Sequence, residues 1–132
     1  MNVFRSDLAG TAVPLLHLES NQVSADLYFE RSVSASRRLA AFRRNAATWE
    51  LLLLLAAADG SDETGVYQTV DKVQSIALGS SALLKFIREQ TDAGNLHLEE
   101  SEHKRSKRLI RLDPALMEEL SKQLSERNRV LM

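Results

Sequence analysis

Between Gly79 and Leu112 the spacing of apolar residues changes once. In the stretch GSSALLKFIREQTDAG, Leu83, Leu84 and Ile87 mark one side of a helix, with Phe86 beside them. Lys85, Arg88, Glu89 and Asp92 fall on the other side. Gly94 supplies a stop, because a helix C-terminus favours a residue that tolerates a left-handed backbone. The period then shortens. Leu96 and Leu98 alternate with polar residues, a charged tip SEHKRSK follows, and Leu109 and Ile110 close a second short strand in RLIRLD. The pattern predicts a helix followed by a β-hairpin whose tip carries positive charge.

The rest of the chain reads mostly as helix. Residues 24–45 predict one long helix with Ser24 as N-cap and Asp26 and Glu30 in its early turns. Its large apolar residues are Leu27, Tyr28, Leu39 and Phe42, and the run Ser32, Val33, Ser34, Ser36 marks a weak point where it can break. Residues 48–58, TWELLLLLAAA, predict a helix capped by Thr48 and stopped at Asp59-Gly60. Five consecutive leucines cannot share one stripe, so this helix is expected to be a central one, buried on several sides. Residues 60–65 are a loop by composition, VYQ a very short strand, and Thr69 the cap of a helix VDKVQSIA burying Val70, Val73 and Ile76. Leu78-Gly79-Ser80 makes a tight turn into the helix described first. Asp113 as N-cap with Pro114 after it opens a last helix carrying Leu116, Met117, Leu120 and Leu124, running to about Arg127. Residues 1–22 mix Gly10, Pro14 and Asn21 with apolar residues and are read as an N-terminal arm without an assigned element.

Two helices joined by a turn form a helix-turn-helix, and a hairpin after the second makes it winged. The expected fold is therefore mainly α with a small β-hairpin, a winged helix-turn-helix over residues 23–132. A helix in that position is built to lie in a DNA major groove. Ser80, Ser81, Lys85 and Arg88 are then the candidates on the helix, since hydroxyls, early backbone amides and cations suit phosphates and guanine edges. His103, Lys104, Arg105, Lys107 and Arg108 are the candidates on the wing, against backbone or minor groove.

Composition narrows the function classes. The 132 residues carry a net charge of -1, so nucleic-acid binding has to come from local concentration of Lys and Arg. Arg31, Arg37, Arg38, Arg43 and Arg44 lie in a stretch with no acidic residue before Glu50, either a solvated helix face or a contact to DNA backbone or an acidic partner. Aromatics are 5% with a single Trp, which favours a Leu- and Ala-rich helical core over a sheet sandwich. The absence of Cys removes disulfides, thiol catalysis and Cys-based zinc sites. Arg5, Asp7 and Pro14 interrupt any signal-like run, and the longest apolar run, Leu51 to Ala58, is too short to span a bilayer, so a cytoplasmic, non-membrane protein is expected.

The segments LLKFIREQTDAGNL and RLIRLDPALMEEL are similar to the recognition helix and wing strand of the MarR-type winged helix-turn-helix regulators. Upstream, RRLAAFRRNAATWELLLLLAA resembles a basic helix feeding a Trp-Glu/Asp-x-Leu-Leu helix. The resemblance covers about residues 37–126. It departs from the family at Gln90, where Leu is usual, at Asn95, where an apolar residue usually follows the Gly, and in the wing, where Lys104 and Ser106 stand in place of Asp-x-Arg. The resemblance implies a homodimeric DNA-binding transcriptional regulator, with the helix of residues 24–45 as the dimerisation element. It also implies sensing of a small molecule, although no residue points to a ligand.

Other chemistry is thin. His97, Glu99 and His103 in HLEESEH invite a metal reading, but two-residue spacing without Cys is better read as a polar strand, and no metal or cofactor is expected. No glycine-rich phosphate loop, Gly-x-Ser-x-Gly elbow or paired acid–base set is visible, so no enzyme is expected. Glu99, Glu100 and Glu102 dilute the wing's charge, which keeps a second expectation open: a winged-helix module that binds protein rather than DNA.

Overall fold

A computed structural model describes the backbone of residues 9–131 and the side chains of residues 20–129. The elements run α1 (Ala9–Ala35), α2 (Arg37–Phe42), α3 (Ala46–Ala57), α4 (Val66–Lys72), α5 (Ser80–Asp92), β1 (Leu96–Glu100), β2 (Arg108–Leu112) and α6 (Pro114–Leu131). The protein is thus mainly helical with one small antiparallel hairpin.

The long helix expected over 24–45 is two helices. The chain breaks at Ser36, which leaves the helical region (φ -90, ψ 118) and caps α2 by accepting from Leu39 N at 3.2 Å. The serine-rich stretch thus breaks where it is weakest. Ser24 caps nothing, because α1 begins far upstream and Ser24 is an exposed mid-helix residue. Of the N-terminal arm, residues 9–22 are the first part of α1, and the first eight lie outside the described residues.

Thr48 is not the cap of the leucine-rich helix but the third residue inside it. Asn45 is the cap: its Oδ1 accepts from Thr48 N at 3.0 Å, and Thr48 Oγ1 accepts from Asn45 N at 3.3 Å. This reciprocal box satisfies two orphan amides at once. Leu51, Leu52 and Leu55 are fully buried, while Leu53 looks outward, so α3 is central but covered on most rather than all sides.

The core joins all the later elements. Leu39 and Phe42 of α2, Leu51, Leu52 and Leu55 of α3, Phe86 and Ile87 of α5, Leu96 and Ile110 of the hairpin, and Leu116 and Leu120 of α6 form one cluster. Phe42 meets Phe86 edge-on, with ring centroids 5.2 Å apart. The antiparallel pair α1 and α6 is laced by Arg127, which binds Asp26 at 2.8 Å and lies over the Phe29 ring, and by a bond from Ser36 Oγ to Glu119.

The segment between α3 and α5 differs most from expectation. VYQ is the first turn of α4, not a strand. Strand character is confined to residues 64–65: Gly65 bridges Leu109, and Ile110 N donates to Thr64 O at 2.8 Å. A Cβ at Gly65 would meet Lys107 Cε at 2.8 Å, so a side chain there would push the Lys107 stem aside. Thr69 is buried within α4 rather than capping a helix, and α4 ends at Lys72. Residues 73–79 are a seven-residue non-helical turn, and Ile76, expected inside, is 99% exposed.

Candidate nucleic-acid interface

The helix that would do the reading, α5, has two opposite faces. Leu83, Phe86, Ile87 and Gln90 are buried. Ser81, Lys85 and Arg88 follow one another at helical spacing on the solvent side, and all three are exposed. Lys85 and Arg88 form no ion pair among the described residues. Asp92 continues the same line one turn on, so it does not point away from the cations as its neighbour does. Glu89 does turn aside, toward Arg44 at 3.8 Å.

The N-terminus of α5 is open. Gly79 caps it with backbone only, no side chain bonds the first amides, and the first turn contains no acidic residue. Ser80 and Ser81 flank those amides and are exposed. A helix start of this kind favours an anion, because its free N–H groups and the helix dipole both point at it.

At its other end α5 runs into the hairpin through Ala93, Gly94 and Asn95. Gly94 adopts φ 84, the left-handed region that only glycine enters without strain. The strands pair Leu96 with Leu112 through Glu100 with Arg108, so the tip, residues 101–107, stands roughly 14 Å along β1 from that corner. The tip is built by Ser101, which sequence reasoning passed over. Its buried hydroxyl donates to Asp62 Oδ1 at 2.8 Å and accepts from His103 N at 3.1 Å and Lys104 N at 3.3 Å. The short side chain bonding back to nearby amides is a local signal for such a turn, but its distant partner Asp62 leaves no trace in sequence.

The wing candidates divide. His103, Lys104, Arg105 and Arg108 are exposed, and none of them forms an ion pair among the described residues. Lys107 is different: its Nζ donates to Asp62 O at 2.6 Å and lies 3.5 Å from Asp62 Oδ2. It ties the hairpin to the loop before α4, so its charge is already partly met within the chain. Asp62 is correspondingly held below its ordinary pKa, chiefly by the Ser101 hydrogen bond against some desolvation, with Lys107 adding to the effect. Of the acidic residues, Glu99 is bound to Arg111 at 2.7 Å, whereas Glu100 and Glu102 are exposed and unpaired among the described residues. The free charge near the tip is therefore Lys104, Arg105 and Arg108 against Glu100 and Glu102, a small positive margin.

The arginine-rich stretch is mostly used internally. Arg43 binds Glu30 and lies 4.6 Å from the Trp49 ring centroid. Arg44 stacks over Phe86 at 5.1 Å, and Arg38 donates to Asn95 Oδ1 at 2.9 Å beside Asp113 and Glu119. Only Arg31 and Arg37 are exposed without an ion pair among the described residues, so the stretch is not a continuous cationic face.

The histidine-containing strand is also committed. His97 Nε2 is 2.8 Å from Asp113 Oδ1 at the base of the hairpin, while Glu99 serves Arg111. Among the described residues no three His, Asp or Glu side chains converge as a metal site would require, and no helix is long and apolar enough to cross a membrane. No family model matches this chain, and no curated protein or solved structure matches it either.

Proposed function

We propose that this chain is a winged helix-turn-helix DNA-binding transcriptional regulator, with α5 in the major groove and the hairpin tip on the backbone or minor groove. One observation carries the reading: Lys85 and Arg88 project from the solvent face of a helix whose opposite face is core, and no carboxylate among the described residues engages them. The hairpin that follows supplies Lys104, Arg105 and Arg108, also without an ion pair among the described residues. The open N-terminus of α5 adds a backbone anion site, and the likeness of residues 37–126 to MarR-type regulators supports the same reading.

Such modules bind as dimers on half-sites about one helical turn apart. Val23, Leu27 and Tyr28 are exposed on α1 at 61%, 45% and 50%, and we propose this face as the homodimer contact. The test is fluorescence anisotropy with a labelled random-sequence duplex pool at low ionic strength, followed by selection of preferred sites. Binding that falls steeply with salt, with a preferred sequence emerging, supports the proposal. No affinity at the lowest salt overturns it.

The unpaired Glu100 and Glu102 favour a second reading, a protein-binding winged helix. Recovery of a stoichiometric protein partner together with no retained duplex would select it.

A further inference from the structure

We propose that Ile76 is a specificity-determining residue that packs against the 5-methyl group of a thymine in the major groove. The inference rests on the DNA-binding reading above and deepens it by assigning one base contact to the turn between α4 and α5.

Ile76 is 99% exposed, more than any other large apolar residue described. Nothing in the described chain covers it, although burying a β-branched aliphatic side chain is favourable. The residues around it are held. The Glu50 carboxylate of α3 accepts from Gln74 N at 2.9 Å and from Ser75 N at 2.9 Å. Ser75 Oγ then accepts from Ala77 N at 3.2 Å. Ile76 therefore follows two residues anchored to α3 and sits inside the local Ser75–Ala77 turn, and its own χ1 is stiff. Little conformational freedom remains to be given up when it meets a partner.

The position suits a groove. Ile76 lies three residues before Gly79, the N-cap of α5, and the N-terminal residues of a recognition helix are those that meet base edges. Residues 73–84, VQSIALGSSALL, contain no charged side chain, and the Glu50 carboxylate beside them is occupied by the Gln74 and Ser75 amides. Among the edges that base pairs present in the major groove, the apolar feature is the thymine methyl. A fixed, fully exposed isoleucine ahead of Lys85 and Arg88 complements that edge as the cations complement guanine.

The experiment uses the full chain and the site it selects from random duplexes. Each thymine of that site is replaced in turn by deoxyuridine, which removes the methyl and keeps the pairing. The expected result is a roughly three- to tenfold loss of affinity at one position per half-site, and little elsewhere, as one methyl contact predicts. In Ile76→Ala affinity for the thymine site falls to about that for the uracil site, so the difference disappears while the salt dependence persists; Ile76→Val retains part of it. Equal affinity for thymine and uracil at every position overturns the inference and leaves the DNA-binding reading standing. So does a difference that is the same in Ile76→Ala, or an Ile76→Ala effect confined to self-association or protein capture. Absence of any duplex binding by the parent protein overturns both.

Discussion

Asn95 Nδ2 donates to Gln90 Oε1 at 2.7 Å, and the bond closes the corner at which α5 becomes β1. Both the backbone and the side chain of Asn95 are engaged there. Its backbone N donates to Gln90 O at 2.9 Å, its carbonyl accepts from Asp113 N at 2.9 Å, and its Oδ1 accepts from Arg38 Nη1 at 2.9 Å. Gln90 and Asn95 are the two places where this corner departs from an apolar pattern. The departures belong together: each polar side chain is buried because the other is present.

Replacing one partner strands the other. Asn95→Leu leaves the Gln90 carbonyl and the Arg38 guanidinium without their bonds, and a cost of about 1–3 kcal/mol is expected in urea unfolding. Gln90→Leu alone is expected to cost less, since Arg38 keeps its acceptor. The double variant Gln90→Leu/Asn95→Leu should be more stable than the sum of the singles implies, by about 0.5–3 kcal/mol of coupling. Strict additivity would mean that the bond contributes nothing specific.

Glu50 is the tie between α3 and the turn before α5. Glu50→Ala removes an acceptor shared by two backbone amides and should lower stability by about 1–2 kcal/mol, at the lower end of charged hydrogen bonds because the site is partly exposed. Amide exchange at Gln74 and Ser75 should quicken far more than at Leu52 or Leu55 in the core. Unchanged exchange at those two amides would refute the tie.

The parts legible in sequence are those whose causes are local. Helix α5 declares itself through Leu83, Phe86 and Ile87 on one face and the Gly94 stop. The hairpin follows from alternation around Leu96 and Leu109, and α6 from Asp113-Pro114. Hidden parts depend on distant partners. Thr69 reads as a cap because Thr often is one, but burial against the core holds it inside α4. Ile76 fits a buried stripe only if the helix continues past Lys72, and Glu50, 25 residues from Ser75, binds a turn there instead. Lys107 reads as a wing cation until Asp62, 45 residues away, claims it. Lys85 and Arg88 are recognisable because an amphipathic period alone assigns them to the outer face.

Acid should weaken this fold through Asp113. Its carboxyl lies below its ordinary pKa, first because of the hydrogen bond with His97, opposed by desolvation and helped by the Ala115 amide and the Arg38 charge. A depressed folded value means the unfolded chain binds the proton more readily. The stabilisation is therefore complete above the unfolded value of about 3.9 and is lost as pH falls through the lower folded value. Asp62 acts in the same direction. Asp113→Asn keeps a good helix cap but no charge, so it should be less stable than the parent near neutral pH. The gap should narrow below about pH 4, and thermal melts across that range read it directly. A gap that stays constant to the lowest pH at which the protein folds would show that the charge is not the cause.

The two cationic groups should separate in their effect on duplex binding. Lys85→Ala/Arg88→Ala removes the outward cations of α5, which in the proposed reading meet base edges, where a good bidentate pair discriminates by about 1–3 kcal/mol. Affinity for the selected site should then fall toward that for random sequence. Lys104→Ala/Arg105→Ala removes charges from a tip that can touch backbone, and should weaken selected and random duplexes alike. The slope of log affinity against log salt should drop by about 0.9 for each phosphate that is no longer neutralised. Lys107→Ala serves as the contrast: its ammonium is already engaged by Asp62, so it should destabilise the hairpin and leave the salt slope nearly unchanged. If the wing pair alters sequence preference and the α5 pair does not, the roles given to helix and hairpin are reversed.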